Sequence, residues 1–405
     1  MSKFERSSAI SKGLGNALET IADTGSLPAI RGRWYFVDPK KGADTSSGKS
    51  IDTALASLAE ANDRVLDGDG IAVLSYGDTS AETTSYLKKT LNIAKNGLTI
   101  VGVAAPTMFG RARIANKAVT NEASNNMSQA AHSISRETGS FIDEGWEVGM
   151  TGTIADSGTN NSATFTVTKV SDLTLTVSET LNVQSKAETV SCVLTSYIAD
   201  LVTFSGDNLA VYNLNIGNFS DQAGSVGGIK VTGNRIYFCN CHFVGAGHAT
   251  PGAVTTARNV LIDGAQEVLF ERCTIGTDTV LKDAANGEIA VDGGAWRIRF
   301  KDCEVLCYSA NEGKGCLSSV DATSWSGVLL FDRCRFSMWN ENGMSAADDG
   351  ASWFIGTAPT SGCVWLNESA ELGWAAWDAT AANDRVYVSN GAIHAATGGI
   401  AILTA

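Results

Sequence analysis

Three aspartates recur at one position of a repeating pattern and could do chemistry together. Asp263 ends Val260-Leu-Ile-Asp263-Gly, Asp292 ends Ile289-Ala-Val-Asp292-Gly, and Asp321 ends Ser318-Ser-Val-Asp321-Ala. If these segments are strands of adjacent parallel coils, neighbouring aspartates stand ~5 Å apart. Retaining glycosidases use two carboxyls ~5–5.5 Å apart, and three stacked carboxylates could also hold Ca²⁺. The same position is Ser205 and Thr232 in the two preceding copies, and Gly or Ala follows each. That is also turn chemistry: a short side-chain oxygen caps the corner and Gly accepts a positive φ. The turn reading is favoured, so no catalytic residue, metal ligand or cofactor is assigned. If the chain is a glycosidase, Asp263, Asp292 and Asp321 are the residues to carry it.

Other chemical groups form no recognisable set. Glu288 and Asp292 share a strand face, but four residues span ~13 Å, too far to flank one glycosidic bond. His132, His242, His248 and His394 are scattered. There is no phosphate loop, no Ser-His-Asp signature and no nucleotide motif. The nine cysteines include no CxxC, and their odd number argues against a fully paired disulfide framework.

Four of those cysteines define the elements that must position everything else. Phe238-Cys-Asn-Cys241, Phe270-Glu-Arg-Cys273, Phe300-Lys-Asp-Cys303 and Phe331-Asp-Arg-Cys334 repeat at steps of 32, 30 and 31 residues. Together with the strands ending at Ser205, Thr232 and the aspartates, each repeat carries two or three short strands separated by polar or glycine turns. Helical spacing is absent from these repeats. In stacked coils like residues lie on one another, so Phe238, Phe270, Phe300 and Phe331 should form one buried ladder and Cys241, Cys273, Cys303 and Cys334 a second. The thiols then act as small hydrophobes. Only 5 prolines are present, which suits ladders that each need their N–H groups.

The start of the chain resembles a known superfamily. Trp34-Tyr-Phe-Val-Asp38-Pro, Gly42-Ala-Asp44-Thr-Ser-Ser-Gly48, an amphipathic Thr53–Val65 segment and Gly68-Asp69-Gly70-Ile71-Ala-Val-Leu74 resemble the opening of the right-handed parallel β-helix superfamily, which includes pectate lyases and phage tailspikes. The resemblance implies an all-β fold with an N-terminal capping helix. Asp52 or Thr53 is expected to cap that helix, and Leu55, Leu58 and Val65 to face the coil. No pectate-lyase-like set of Asp ligands with a catalytic Arg can be picked out. A change of texture follows residue 116. Trp146-Glu-Val-Gly-Met150, Asn160-Asn161, Phe165-Thr-Val167 and Leu173-Thr-Leu175-Thr-Val177 read as a small inserted antiparallel β module, and resemble a short module of phage structural proteins. The expected organisation is an arm at 1–33, cap and first coil at 34–116, inserted module at 117–196, and the main coils at 197–405.

The net charge is −13 and no basic run occurs, which argues against nucleic acid. No stretch approaches ~18 apolar residues, so no membrane partner is expected. The N-terminus lacks an apolar leader, which suggests assembly in a bacterial cytoplasm. In the arm, Ile10, Leu14, Leu18 and Ile21 form an amphipathic stripe suited to docking, and Trp146 is a second candidate contact residue. Seven of nine tryptophans follow residue 295, where they could stack on sugars or fill an interface. These features predict a non-enzymatic bacteriophage virion protein, a trimeric capsid decoration or head spike. Its partners would be sister subunits and the major capsid protein or other virion proteins. The alternative is a tailspike or tail-associated protein that binds or cleaves host glycan.

Overall fold

A computed structural model describes residues 30–74, 85–87, 90–103, 111–116, 126–155, 157–160, 162–187, 191–194, 198–282, 286–309, 315–340, 354–356, 362–367, 369–372 and 386–389. Among these residues the chain is all-β apart from a few short helical turns. Three parallel sheets of seven, ten and eight strands run side by side, and each pairs strands from successive coils. One coil shows the order: Gly227–Val231 in the first sheet, Tyr237–Cys239 in the second, His242–Val244 in the third, then Arg258–Asp263 back in the first. This is a right-handed parallel β-helix. No helix among the described residues is long and apolar enough to cross a membrane.

The interior is built from in-register columns. Phe238, Phe270, Phe300 and Phe331 pair directly across adjacent strands. Their rings stack with centroids 4.8, 4.7 and 4.6 Å apart and interplanar angles of 14°, 8° and 7°. The spacing equals the strand separation of a sheet, so each ring rests on the one below without any shift of backbone. Ile71, Ile100 and Val211 continue this column toward the N-terminus and Leu366 toward the C-terminus. Phe204 and Phe243 meet the stack edge-on, at 5.0 and 5.5 Å from Phe238, an arrangement favoured by the ring quadrupole.

Cys241, Cys273, Cys303 and Cys334 are all buried and free. Cys273 and Cys303 direct Sγ at the carbonyls of Phe238 and Phe270, 3.6 and 3.4 Å away. The residue before each cysteine turns the corner between the second and third sheets. Asn240, Arg272, Asp302 and Arg333 all have φ of 51–52°. A left-handed residue costs ~1–2 kcal/mol outside glycine, and its recurrence in these four successive coils marks a fixed corner geometry.

The N-terminal end is closed by the helix Leu58–Arg64, whose Leu58 and Ala61 join Val37, Val65 and Ile71 in one core. Its cap is Ser57, whose hydroxyl accepts from the Glu60 N–H at 3.2 Å, not Asp52 or Thr53 as expected. The reason is that Leu55 first forms a parallel bridge with Val37, so the helix can begin only after it.

An antiparallel sheet of seven strands, from Met127–Ala130 to Ser191–Leu194, interrupts the parallel coils. It has its own core around Phe141, Trp146, Met150 and Phe165. Asn160, expected to mark a turn, is buried and donates to Gln129 Oε1 and the Asn182 carbonyl at 2.9 and 2.7 Å. Its neighbour Asn161 lies outside the described residues.

Candidate functional site

The aspartate positions lie on the outer edge of the first sheet, where strands end and turns begin. Asp263 and Asp292 are register partners on adjacent coils. Asp263 forms an ion pair with Lys230 of the preceding coil, Nζ to Oδ2 2.7 Å, with both side chains about one-third exposed. Asp292 accepts the N–H of Gly293 at 2.7 Å. Asp321 does not join them. Val291 pairs with Ser319, so Val320 stands over Asp292 and Asp321 falls one residue further on. There it accepts from the Thr323 N–H and hydroxyl at 2.7 and 2.8 Å. These two bonds hold its carboxyl below the usual aspartate range. The expected three-member carboxylate ladder is therefore a pair plus a separate turn. Asp292 and Asp321 are engaged locally, as corner chemistry requires, and Asp263 is engaged across coils by Lys230. Among the described residues no group of three His, Cys, Asp or Glu could hold a metal ion.

Glu288 and Asp292 sit on the same strand, Gly287–Asp292, but differ in environment. Glu288 is fully buried and Asp292 half-exposed. The histidines stay apart. His242 is held by the Gly276 carbonyl at 2.8 Å, and burial keeps its imidazole below the ordinary range and hence neutral near pH 7. His248 caps the short helix Ala249–Gly252 and His132 meets the Glu179 carbonyl. His394 lies outside the described residues.

A denser polar array covers the C-terminal part of the outer face of the ten-stranded sheet, beyond an apolar patch around Val101, Tyr212 and Cys239, and sequence reading missed it. Register places Cys239, Glu271, Lys301, Asp332 and Asn367 in one column. Lys301 Nζ lies 2.6 Å from Glu271, whose carboxylate also accepts the Tyr237 hydroxyl. Arg299 and Asn367 reach Asp332 at 2.6 and 2.7 Å. Along the flanking corner, Glu267 bridges Arg235 and Arg297 at 2.9 and 3.0 Å. Charges alternate from coil to coil, so a slip of one coil would set like charges opposite one another. The sequence signal for this was the charged residue following Phe270, Phe300 and Phe331.

Burial alone would push the Asp332 carboxyl up, but the Asn367 amide and the Arg299 and Arg333 guanidinium groups outweigh it and hold it low. Glu271 follows the same balance, with Lys301 and the Tyr237 hydroxyl overcoming burial. A carboxyl held low in the folded state adds stability above its unfolded pKa of about 4, and loses it as pH falls through the folded value. The urea midpoint is expected to stay flat from about pH 7 to 5 and to fall below about pH 4. Asp332→Asn should reduce that fall. Equal midpoints at neutral and strongly acidic pH would contradict the assignment.

Two of the late tryptophans reach solvent, Trp296 at 39% and Trp365 at 38% exposure, whereas Trp325 is buried. Arg297 lies over the Trp296 ring, 4.4 Å from its centroid. Trp353, Trp374 and Trp377 lie outside the described residues, as does the Trp339 side chain. Trp146, expected as a contact residue, is only 2% exposed. It packs between Phe141 and Phe165 at 6.5 and 5.8 Å. The correction has a simple cause: a module this small needs its largest apolar side chain inside. Ile10, Leu14, Leu18 and Ile21 lie outside the described residues.

No family model and no curated protein matches the chain. Among solved structures it is similar to a pectate lyase at 12% identity, over 88% of this chain and 68% of that one, with a TM-score of 0.47. It is similar to a pectin methylesterase from carrot at 11% identity, over 94% and 91% of the two chains, with a TM-score of 0.46. A rhamnogalacturonan lyase matches at 10% identity over 88% and 73%, with a TM-score of 0.44. Likeness at this identity concerns the fold alone. The expectation that the chain is not an enzyme is withdrawn: the structures it is similar to are a pectate lyase, a pectin methylesterase and a rhamnogalacturonan lyase. The chain shares its right-handed parallel β-helix fold with polysaccharide-acting enzymes.

Proposed function

We propose that the chain is a bacteriophage virion structural protein, carried on the particle surface as a trimeric capsid decoration or head spike. The observation that carries this reading is the antiparallel module set into the parallel β-helix, whose Gly-Trp-x-x-Gly-Met and Thr-rich strands resemble phage structural modules. In this reading the arm 1–33 and the insertion 117–196 make the contacts with sister subunits and with the major capsid protein or other virion proteins. Assembly takes place in the host bacterial cytoplasm. Mass spectrometry of purified virions is expected to find the protein, and a reconstruction of the particle to place it on the head. Its absence from virions would exclude the reading.

A second reading is a tailspike that binds or cleaves host polysaccharide. Exposed Trp296 and Trp365 favour it, because a sugar ring can stack on an indole. Trp365→Ala should then weaken binding to host polysaccharide by about tenfold, on the order of 1 kcal/mol. Asp263→Asn and Asp292→Asn, with folding unchanged, should abolish any cleavage. Host polysaccharide left unbound and intact by the wild-type protein would exclude this alternative.

A further inference from the structure

We propose that Lys282 and Asn259 become joined by an intramolecular isopeptide bond, with Glu288 as the proton carrier. The three side chains converge on the outer side of the first sheet and are 1%, 0% and 0% exposed for Lys282, Asn259 and Glu288. Lys282 Nζ lies 2.6 Å from Glu288 Oε2. Asn259 Nδ2 donates to the same Oε2. One carboxylate oxygen therefore holds both the nucleophilic nitrogen and the leaving nitrogen. The Asn259 carbonyl oxygen in turn accepts the Gly245 N–H at 2.7 Å, so a backbone donor already points at the atom where negative charge would develop.

The positions follow from the fold. Asn259 and Glu288 lie on adjacent strands of one sheet, and Cys316, also buried, follows on the next coil. Lys282 ends the long strand Thr274–Lys282 of the third sheet, and the short helix Ala249–Gly252 covers it. A Cβ at Gly252 would lie 3.2 Å from Lys282 Cγ. The site is thus screened from water, which makes an ion pair costly and a neutral product favourable.

The chemistry balances. Glu288 takes a proton from the Lys282 ammonium, and the freed lone pair attacks Asn259 Cγ. The oxyanion forms on Oδ1 under the Gly245 N–H. Glu288 returns its proton to Nδ2, the Cγ–Nδ2 bond breaks and ammonia leaves. Glu288 then takes the second proton from Nζ and ends as a neutral acid. An ammonium, a carboxylate and a carboxamide become an amide, a carboxylic acid and ammonia, and both buried charges disappear. Neither virion nor polysaccharide reading is needed for this bond.

The test is intact-mass spectrometry of the purified full chain. The wild-type protein is expected to weigh one ammonia less than its sequence, and a protease digest to yield a branched peptide holding both Asn259 and Lys282. Lys282→Arg and Glu288→Gln are each expected to restore the full sequence mass. A wild-type chain at full mass, a missing branched peptide, or a deficit that persists in Lys282→Arg would overturn the proposal. The wild-type measurement stands even if a variant fails to fold.

Discussion

Phe300→Ala is expected to lower the free energy of unfolding by about 3–5 kcal/mol, the usual cost of emptying a large core site. Phe300 is fully buried, with Phe270 and Phe331 stacked 4.7 and 4.6 Å away on its two faces. Removing the ring opens a gap in a column whose neighbours cannot collapse into it, because the strand spacing fixes their heights. Two aromatic contacts worth about 0.5–1.5 kcal/mol each disappear as well, which places the effect toward the upper end. Denaturant unfolding followed by circular dichroism would measure it. A surface control makes the comparison sharp. Arg299→Ala removes an ion pair whose arginine side chain is 47% exposed, and should cost no more than about 1 kcal/mol. Similar losses in the two variants would mean that the phenylalanine column does not carry the fold.

Trp146→Ala should be nearly as damaging, again about 3–5 kcal/mol. The indole fills the centre of the inserted module, and Arg136 extends that packing, its guanidinium 4.3 Å from the Phe141 ring centroid and paired with Glu144 at 2.5 Å. Limited proteolysis is expected to cut the variant within residues 126–194 under conditions that spare the wild type. A tryptophan serving only as an outward contact would tolerate the change within about 0.5 kcal/mol. Unaltered resistance to protease would therefore return Trp146 to the surface.

How much of this was legible beforehand differs from residue to residue. The Phe and Cys steps give the register across four coils directly, since like residues stack only when strands align. The αL corners were less visible, because Asn240, Arg272, Asp302 and Arg333 are not glycines and include an amide, a carboxylate and two guanidinium groups. Asp321 shows where counting fails. Its repeat step runs past the end of the strand, and there the Asp321 carboxylate bonds to Thr323 decide the backbone in place of the sheet. The helix cap moved from Asp52 or Thr53 to Ser57 for a related reason: a tertiary bridge at Leu55 took precedence over local helix preference.

The sequence by itself determined the fold class, the phenylalanine and cysteine columns and the presence of an insertion, because each is written in periodicity and periodicity survives without coordinates. Only the tertiary structure decided which polar groups meet. Asp263 found Lys230 and not a third carboxylate, Trp146 turned inward, and Asn259, Lys282 and Glu288 came together from separate segments. Such meetings depend on where long connections return to the sheet, and no spacing along the chain encodes that distance.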